Sequence, residues 1–186
     1  MHTTALASGR TFFERYAIDA ENCTILEIGS MDVNGSLRQV APVGCRYIGV
    51  DCAPGRGVDI VSSDPYRVPL PNGCADAVVS SSCFEHAEFF WLLFLEMCRL
   101  VRMKGYLYIN SPSNGPYHAH PVDCWRFRED AGLALVRWAG LYGYSLALVE
   151  TYISEPDLDV AHWQDWVCIW RKTPGAAAAY GPLSLT

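Results

Sequence analysis

The sequence predicts a doubly wound α/β fold: a mostly parallel sheet with helices on both faces and a C-terminal antiparallel strand pair. Three observations predict it. Short apolar runs rich in Val and Ile recur along the chain, and Gly, Pro or Asp closes most of them. A long helical stretch separates the fourth run from the fifth, as strands alternating with helices require in a parallel sheet. Two further strand-like runs close the chain and suit an antiparallel edge.

Taken in order, the chain opens with an N-terminal helical segment over residues 1–23, its helix around Thr11–Tyr16. The runs Thr24–Ile28, Tyr47–Val50, Val58–Val61, Ala77–Ser80 and Tyr106–Asn110 read as strands buried on both faces, because their apolar residues are continuous rather than alternating. A turn and a helix are expected after the first of them. Glu88 to Arg102 reads as a helix with Lys104-Gly105 as its stop. A Pro-rich loop from Pro112 to Pro121 leads to a helix near Glu129–Leu141, then to the strand pair Ser145–Ile153 and Trp163–Arg171. The whole of 1–186 is expected to be one domain, with residues 174–186 an alanine-rich, fraying tail.

Composition narrows the function. Hydrophobic residues make up 51% and charged residues 18% of 186, a globular balance that excludes disorder and collagen-like structure. The formal net charge of −6 offers no general attraction to nucleic acid or anionic lipid. The longest apolar run, Phe89 to Leu95, is far short of a membrane span, and the N-terminus lacks a basic segment followed by an apolar one, so a cytoplasmic protein is expected. Eight cysteines include no CxxC pair, and several sit in apolar runs; they read as reduced thiols filling the core.

The most informative stretch is Ile25-Leu26-Glu27-Ile28-Gly29-Ser30-Met31, an apolar strand entering a glycine turn, where glycine allows close backbone approach to a ligand. The second strand ends at Asp51, 22 residues after Gly29, a position suited to accepting hydrogen bonds from ribose hydroxyls. The turn lacks the GxGxxG of pyrophosphate-binding sites, which disfavours a nicotinamide-dependent oxidoreductase. Glu27 would instead repel a pyrophosphate and accept from an amino group. The ligand implied is a positively charged adenosine compound without phosphates.

From Thr24 to Leu141 the chain resembles the class I S-adenosylmethionine-dependent methyltransferases, small bacterial members of the type 11 kind, with a Rossmann-like fold. The residues that carry the resemblance are Leu26-Glu27-Ile28-Gly29-Ser30 with Val33-Asn34-Gly35-Ser36, Tyr47-Ile48-Gly49-Val50-Asp51, Leu70-Pro71 with Asp76-Ala77-Val78-Val79, Phe84-Glu85-His86, Glu96-Met97-Cys98-Arg99, Gly105-Tyr106-Leu107 and Ser111-Pro112. It implies S-adenosylmethionine as cofactor and S-adenosylhomocysteine as product. It implies a cofactor site of Glu27, Gly29, Ser30, Asp51, Cys52, Asp64 and Ser81, in which Asp51 holds ribose and Asp64 adenine. The chain departs from the family's usual Gly-x-Gly in the first loop and Pro-Gly-Gly before the fifth strand, having Gly29-Ser30-Met31 and Met103-Lys104-Gly105.

Ligands of open α/β sheets bind beyond the carboxyl ends of the strands, which puts Ser111 to Phe127 beside the cofactor. That loop resembles one in a bacterial subset of these enzymes, with Pro-Tyr-His and Asp-x-Trp-Arg. Tyr117, Trp125 and Arg126 are expected to contact substrate, with a locking role for Trp125 as the alternative. His118 and His120 are the catalytic candidates: either is a base for a protonated acceptor, or both brace the loop. His118, His120 and Asp123 form a loose two-His, one-carboxylate pattern, and no metal is expected. The packing and catalytic readings of His86 stay open.

The expected activity is methyl transfer to a small-molecule or glycan-like acceptor. The alternative is a noncatalytic relative acting through cofactor binding or dimerisation, since the helix around Phe89–Leu95 is apolar nearly all round and must meet something besides one sheet. A second subunit across a twofold axis, or the N-terminal segment, would cover it.

Overall fold

The computed structural model describes residues 3–16, 21–156 and 163–175. Helix α1 (Thr3–Arg15) is followed by β1 (Thr24–Ile28), β2 (Arg46–Asp51), β3 (Ile60–Val61), β4 (Ala75–Ser81), α2 (Phe90–Leu100), β5 (Val101–Pro112), α3 (Asp130–Leu141), β6 (Leu146–Ile153) and β7 (Asp165–Lys172). The strands join in one seven-stranded sheet of order β3-β2-β1-β4-β5-β7-β6. Strands β1 to β5 pair in parallel, and β7 runs antiparallel to both β5 and β6.

Both faces of the sheet are covered, which is why its central strands read as unbroken apolar runs. Leu26, Ile28, Val78, Leu107 and Ile109 pack with Leu93, Phe94 and Met97 of α2 and Leu135 and Ala139 of α3. Their neighbours one residue along, Ile25, Ala77, Val79 and Tyr108, face the other way and pack with Phe12 and Phe13 of α1 and with Leu37. Helix α1 therefore lies across the sheet from α2 and does not cover its outer side, where Phe89 and Leu92 are exposed. The expected tail falls largely on residues 176–186, outside the described residues.

Four expectations change. The helix expected after β1 is a single 3-10 turn, Leu37–Gln39, with Ser36 Oγ accepting from the Arg38 N–H at 3.1 Å. Just before it, Asp32 Oδ1 accepts from the Gly35 N–H at 2.7 Å; side chains that bond their own backbone in this way compete with helix. Helix α2 ends at Leu100, before Lys104-Gly105, because Val101 turns extended and pairs with Ala75; Lys104, at φ 66°, lies in an irregular stretch of β5. Strand β3 is only two residues long.

The fourth change concerns the cysteines. Cys23 and Cys45 form a disulfide and are not reduced thiols. The parallel register pairs Thr24 with Arg46, so the preceding residues stand side by side with Cα atoms 4.9 Å apart, within bridging range. A sequence separation of 22 conceals that neighbourhood. The other six cysteines are free.

Candidate active site

The strand order reverses direction at β1, between its neighbours β2 and β4, which opens a crevice at their carboxyl ends. The chain leaves β1 through Gly29 at φ 75°, where an added Cβ would lie 2.4 Å from Cys83 Sγ, so both the turn and the close approach require glycine. The Gly29 and Ser30 N–H groups donate to Val50 O at 2.9 and 3.1 Å, which draws the turn against the end of β2. There the Asp51 carboxylate accepts from Met31 N at 3.0 Å and from Cys52 N at 2.8 Å. Its position is thereby set by backbone donors from both strands' loops.

Glu27, on β1 two residues before Gly29, is 1% exposed, with Oε2 accepting from Ser36 Oγ at 3.1 Å. Burial pushes its carboxyl up to about 7, against the pull of the Ser36 hydroxyl. Ser30 and Ser81 are buried with hydroxyls that have no hydrogen-bond partner. A buried donor without a partner is costly, and a ligand in the crevice would satisfy it. Burial, with Asp51 beside it, raises the pKa of the Cys52 thiol, whose sulfur is 3.6 Å from Asp51 Oδ1. Asp64 stands apart from this group: its exposed carboxylate closes its own turn by accepting from Tyr66 N at 2.9 Å. A separate cleft of about 360 Å³ lies beyond the turn, but its arginines are already paired, Arg56 with Asp32 and Arg38 with Asp59.

The loop after β5 is tied down at its base. Cys124 N donates to Glu85 O at 2.7 Å, and Trp125 Nε1 to Ala87 O at 3.0 Å. Trp125 also packs edge-on against Phe90, its ring 5.2 Å away, so it holds the loop on α2. Arg126 grips Asp123 with two hydrogen bonds of 2.5 and 2.8 Å and donates to Pro116 O at 2.9 Å. Its guanidinium keeps the Asp123 carboxyl well below the usual range. Both terminal nitrogens of Arg126 are thus engaged inside the loop, while its buried Nε has no hydrogen-bond partner. Tyr117, at 77% exposure, reaches into solvent.

His118 and His120 separate in role. His118 N donates to Asp123 Oδ2 at 2.8 Å, and its Nδ1 lies 3.3 Å from Pro116 O and 3.4 Å from Asp123 Oδ2. The ring is therefore oriented from behind. His120 is exposed and meets only the edge of the His86 ring, 5.9 Å between centroids, among the ring contacts described. Glu85 and His86 join this end of the loop; Glu85 is not among the expected site residues, and His86 is the residue whose packing and catalytic readings stay open. Glu85 is 1% exposed, accepts from Ser111 Oγ at 2.8 Å, and is pushed by burial up to about 7. The signal available in sequence was the Glu-His dipeptide just beyond a strand end.

This strand order, with a glycine turn and a carboxylate at the switch point, is a Rossmann-like doubly wound arrangement. Residues 26–109 match the family model described as a methyltransferase domain. Solved structures share the fold. A Burkholderia thailandensis 1,6-didemethyltoxoflavin-N1-methyltransferase, with bound 1,6-didemethyltoxoflavin and S-adenosylhomocysteine, is 17% identical over 91% of this chain and 78% of its own, with a TM-score of 0.69. A putative sarcosine dimethylglycine methyltransferase from Galdieria sulphuraria is 12% identical over 91% and 85%, at 0.68. The [4+2]-cyclase SpnF is also 12% identical, over 91% and 81%, at 0.68. No curated protein matches the chain in sequence.

Proposed function

We propose that the chain is an S-adenosylmethionine-dependent methyltransferase that moves a methyl group to a small-molecule or glycan-like acceptor by in-line displacement, with S-adenosylhomocysteine as product. One observation carries the reading: the Asp51 carboxylate accepts from Met31 N in the turn that Gly29 opens at the switch point, two residues past the buried Glu27. When bound, the cofactor supplies the methyl group of a sulfonium. The protein's part is orientation and a dry pocket. Asp51 accepts from the ribose hydroxyls, Glu27 favours the cationic amino acid end, and Ser30 and Ser81 offer hydroxyls without partners. Cys52 flanks the ribose and Asp64 the adenine. Residues 111–127 form the acceptor side, with Tyr117 at the mouth and Trp125 and Arg126 shaping the loop. His120, exposed at the loop edge, takes the proton of a hydroxyl or amine acceptor.

Fold alone does not select the reaction, as a cyclase on the same fold illustrates. The test therefore begins with ligand. Calorimetric titration with S-adenosylhomocysteine should show one site, and Asp51→Ala should weaken it by about 1.5–3 kcal/mol, roughly 10- to 150-fold, for the loss of charge-assisted hydrogen bonds. Equal affinity in a folded variant would remove Asp51 from the site.

We extend the reading to a single domain over 1–186 that forms a homodimer through the outer side of α2. Phe89 and Leu92 are 48% and 38% exposed there, and α1 packs on the opposite face of the sheet. Light scattering should return twice the 20.6 kDa chain mass, and a protomer mass at high concentration would overturn the dimer. Six free thiols fit a cytoplasmic location, with the Cys23–Cys45 disulfide as the exception, and the loop pattern fits a bacterial source.

A further inference from the structure

We propose that Glu85, His86 and His118 form a binding site for one divalent transition-metal ion of the zinc class. One donor atom from each lies within 4.8 Å of the other two, in a group drawn from two separated segments of the chain. This is not the His118, His120 and Asp123 pattern visible in the sequence, because Asp123 is committed to Arg126.

The hydrogen bonding around the three side chains leaves their donor atoms facing one another. His86 Nδ1 is 2.6 Å from Val122 O. A carbonyl only accepts, so Nδ1 carries the proton and Nε2 presents its lone pair. That Nε2 is 3.6 Å from Glu85 Oε1, too far for a hydrogen bond. Glu85 Oε1 is buried and has no hydrogen-bond partner, while Oε2 is held by Ser111 Oγ at 2.8 Å. A fixed carboxylate oxygen and a fixed imidazole lone pair thus meet with nothing between them. Two ligands of one tetrahedral ion bound at about 2.0–2.1 Å stand about 3.3 Å apart, close to this separation.

His118 repeats the arrangement. Its Nδ1 faces Pro116 O and Asp123 Oδ2, both acceptors, which leaves Nε2 as the ligand atom. Histidines that bind metals are characteristically oriented through the other ring nitrogen by a carbonyl or carboxylate. Two imidazoles and one carboxylate suit zinc and its first-row neighbours, whereas magnesium and calcium prefer oxygen alone. Three protein ligands leave a coordination position open, and an acceptor oxygen or water fits it. That last consequence rests on residues 111–127 being the acceptor side; the metal site itself does not.

The test uses zinc alone. Tag-free protein stripped with chelator and titrated calorimetrically with Zn2+ should bind one ion with a Kd of about 1 μM or tighter. Co2+ in the same site should give visible bands of a four- or five-coordinate ion without a thiolate charge-transfer band. His118→Ala, at a partly exposed position, and Glu85→Gln should each weaken binding at least about tenfold. Melting curves without metal identify folded variants, and if Glu85→Gln fails to fold, His118→Ala decides alone. Absence of binding at 100 μM Zn2+ (about a hundredfold above the expected Kd), unchanged affinity in a folded variant, or a thiolate band implicating Cys52 or Cys124 would each overturn the site. S-adenosylhomocysteine affinity measured on the same samples separates failure of the metal site from failure of the methyltransferase reading.

Discussion

His120→Ala is expected to lower methyl transfer by about 10²- to 10⁴-fold while affinity for S-adenosylhomocysteine stays unchanged. The prediction follows from how differently the two histidines of the loop are held. His118 is fixed from behind by Pro116 and Asp123, whereas His120 carries an exposed ring that meets the edge of His86. An acceptor that arrives as a hydroxyl or ammonium must lose a proton as the sulfonium charge disappears, and an imidazole nitrogen can take it. The measurement is the rate of S-adenosylhomocysteine formation with any acceptor the enzyme methylates, paired with calorimetry and melting temperature on the same variant. Full turnover would take His120 out of the chemistry. A joint fall in melting temperature and cofactor affinity would make it a brace.

Arg126→Met is expected to cost about 2–4 kcal/mol of stability at pH 7, which places it at the lower end for breaking a buried ion pair because the Arg126 side chain is 25% exposed. The Asp123 side chain is only 2% exposed and would be left charged without its partner. The pH dependence distinguishes this cause from lost packing. In the native protein the Asp123 carboxyl is held below its unfolded value near 3.9, so its contribution is present above that pH and is lost as pH falls through the depressed value. Without Arg126, burial is the largest single influence left on the same carboxyl, ahead of the hydrogen bond from His118 N, and raises it. The variant's deficit should therefore narrow between pH 7 and about pH 4, read from urea unfolding at each pH. A deficit that stays constant across that range would assign the loss to the bonds with Pro116 and Trp125 instead.

The strands and their order of use were legible because a sheet covered on both faces needs continuous apolar runs, and Thr24–Ile28, Ala77–Ser80 and Tyr106–Asn110 carry them. The placement of Gly29 in the turn after β1 and of Asp51 at the end of β2 was legible for a related reason. The turn's chemistry is local, and the distance from a strand end through a crossover to the next strand end is nearly constant in this architecture. Local competition was harder to weigh: Asp32 bonding its own turn suppressed the helix expected after β1, and an irregular pairing with β4 let Val101 end α2 early. Pairings between distant residues left no trace in spacing. Cys23 meets Cys45 only through the parallel register, and Glu85 and His86 meet His118 only because Cys124 and Trp125 fasten the loop to Glu85. Asp123 and Arg126, three residues apart, looked available for ligands until the fold buried them against each other. Periodicity and turn chemistry record what a residue does with its near neighbours; which distant donors share one small volume is set by strand register and loop closure, and only the tertiary structure decided that.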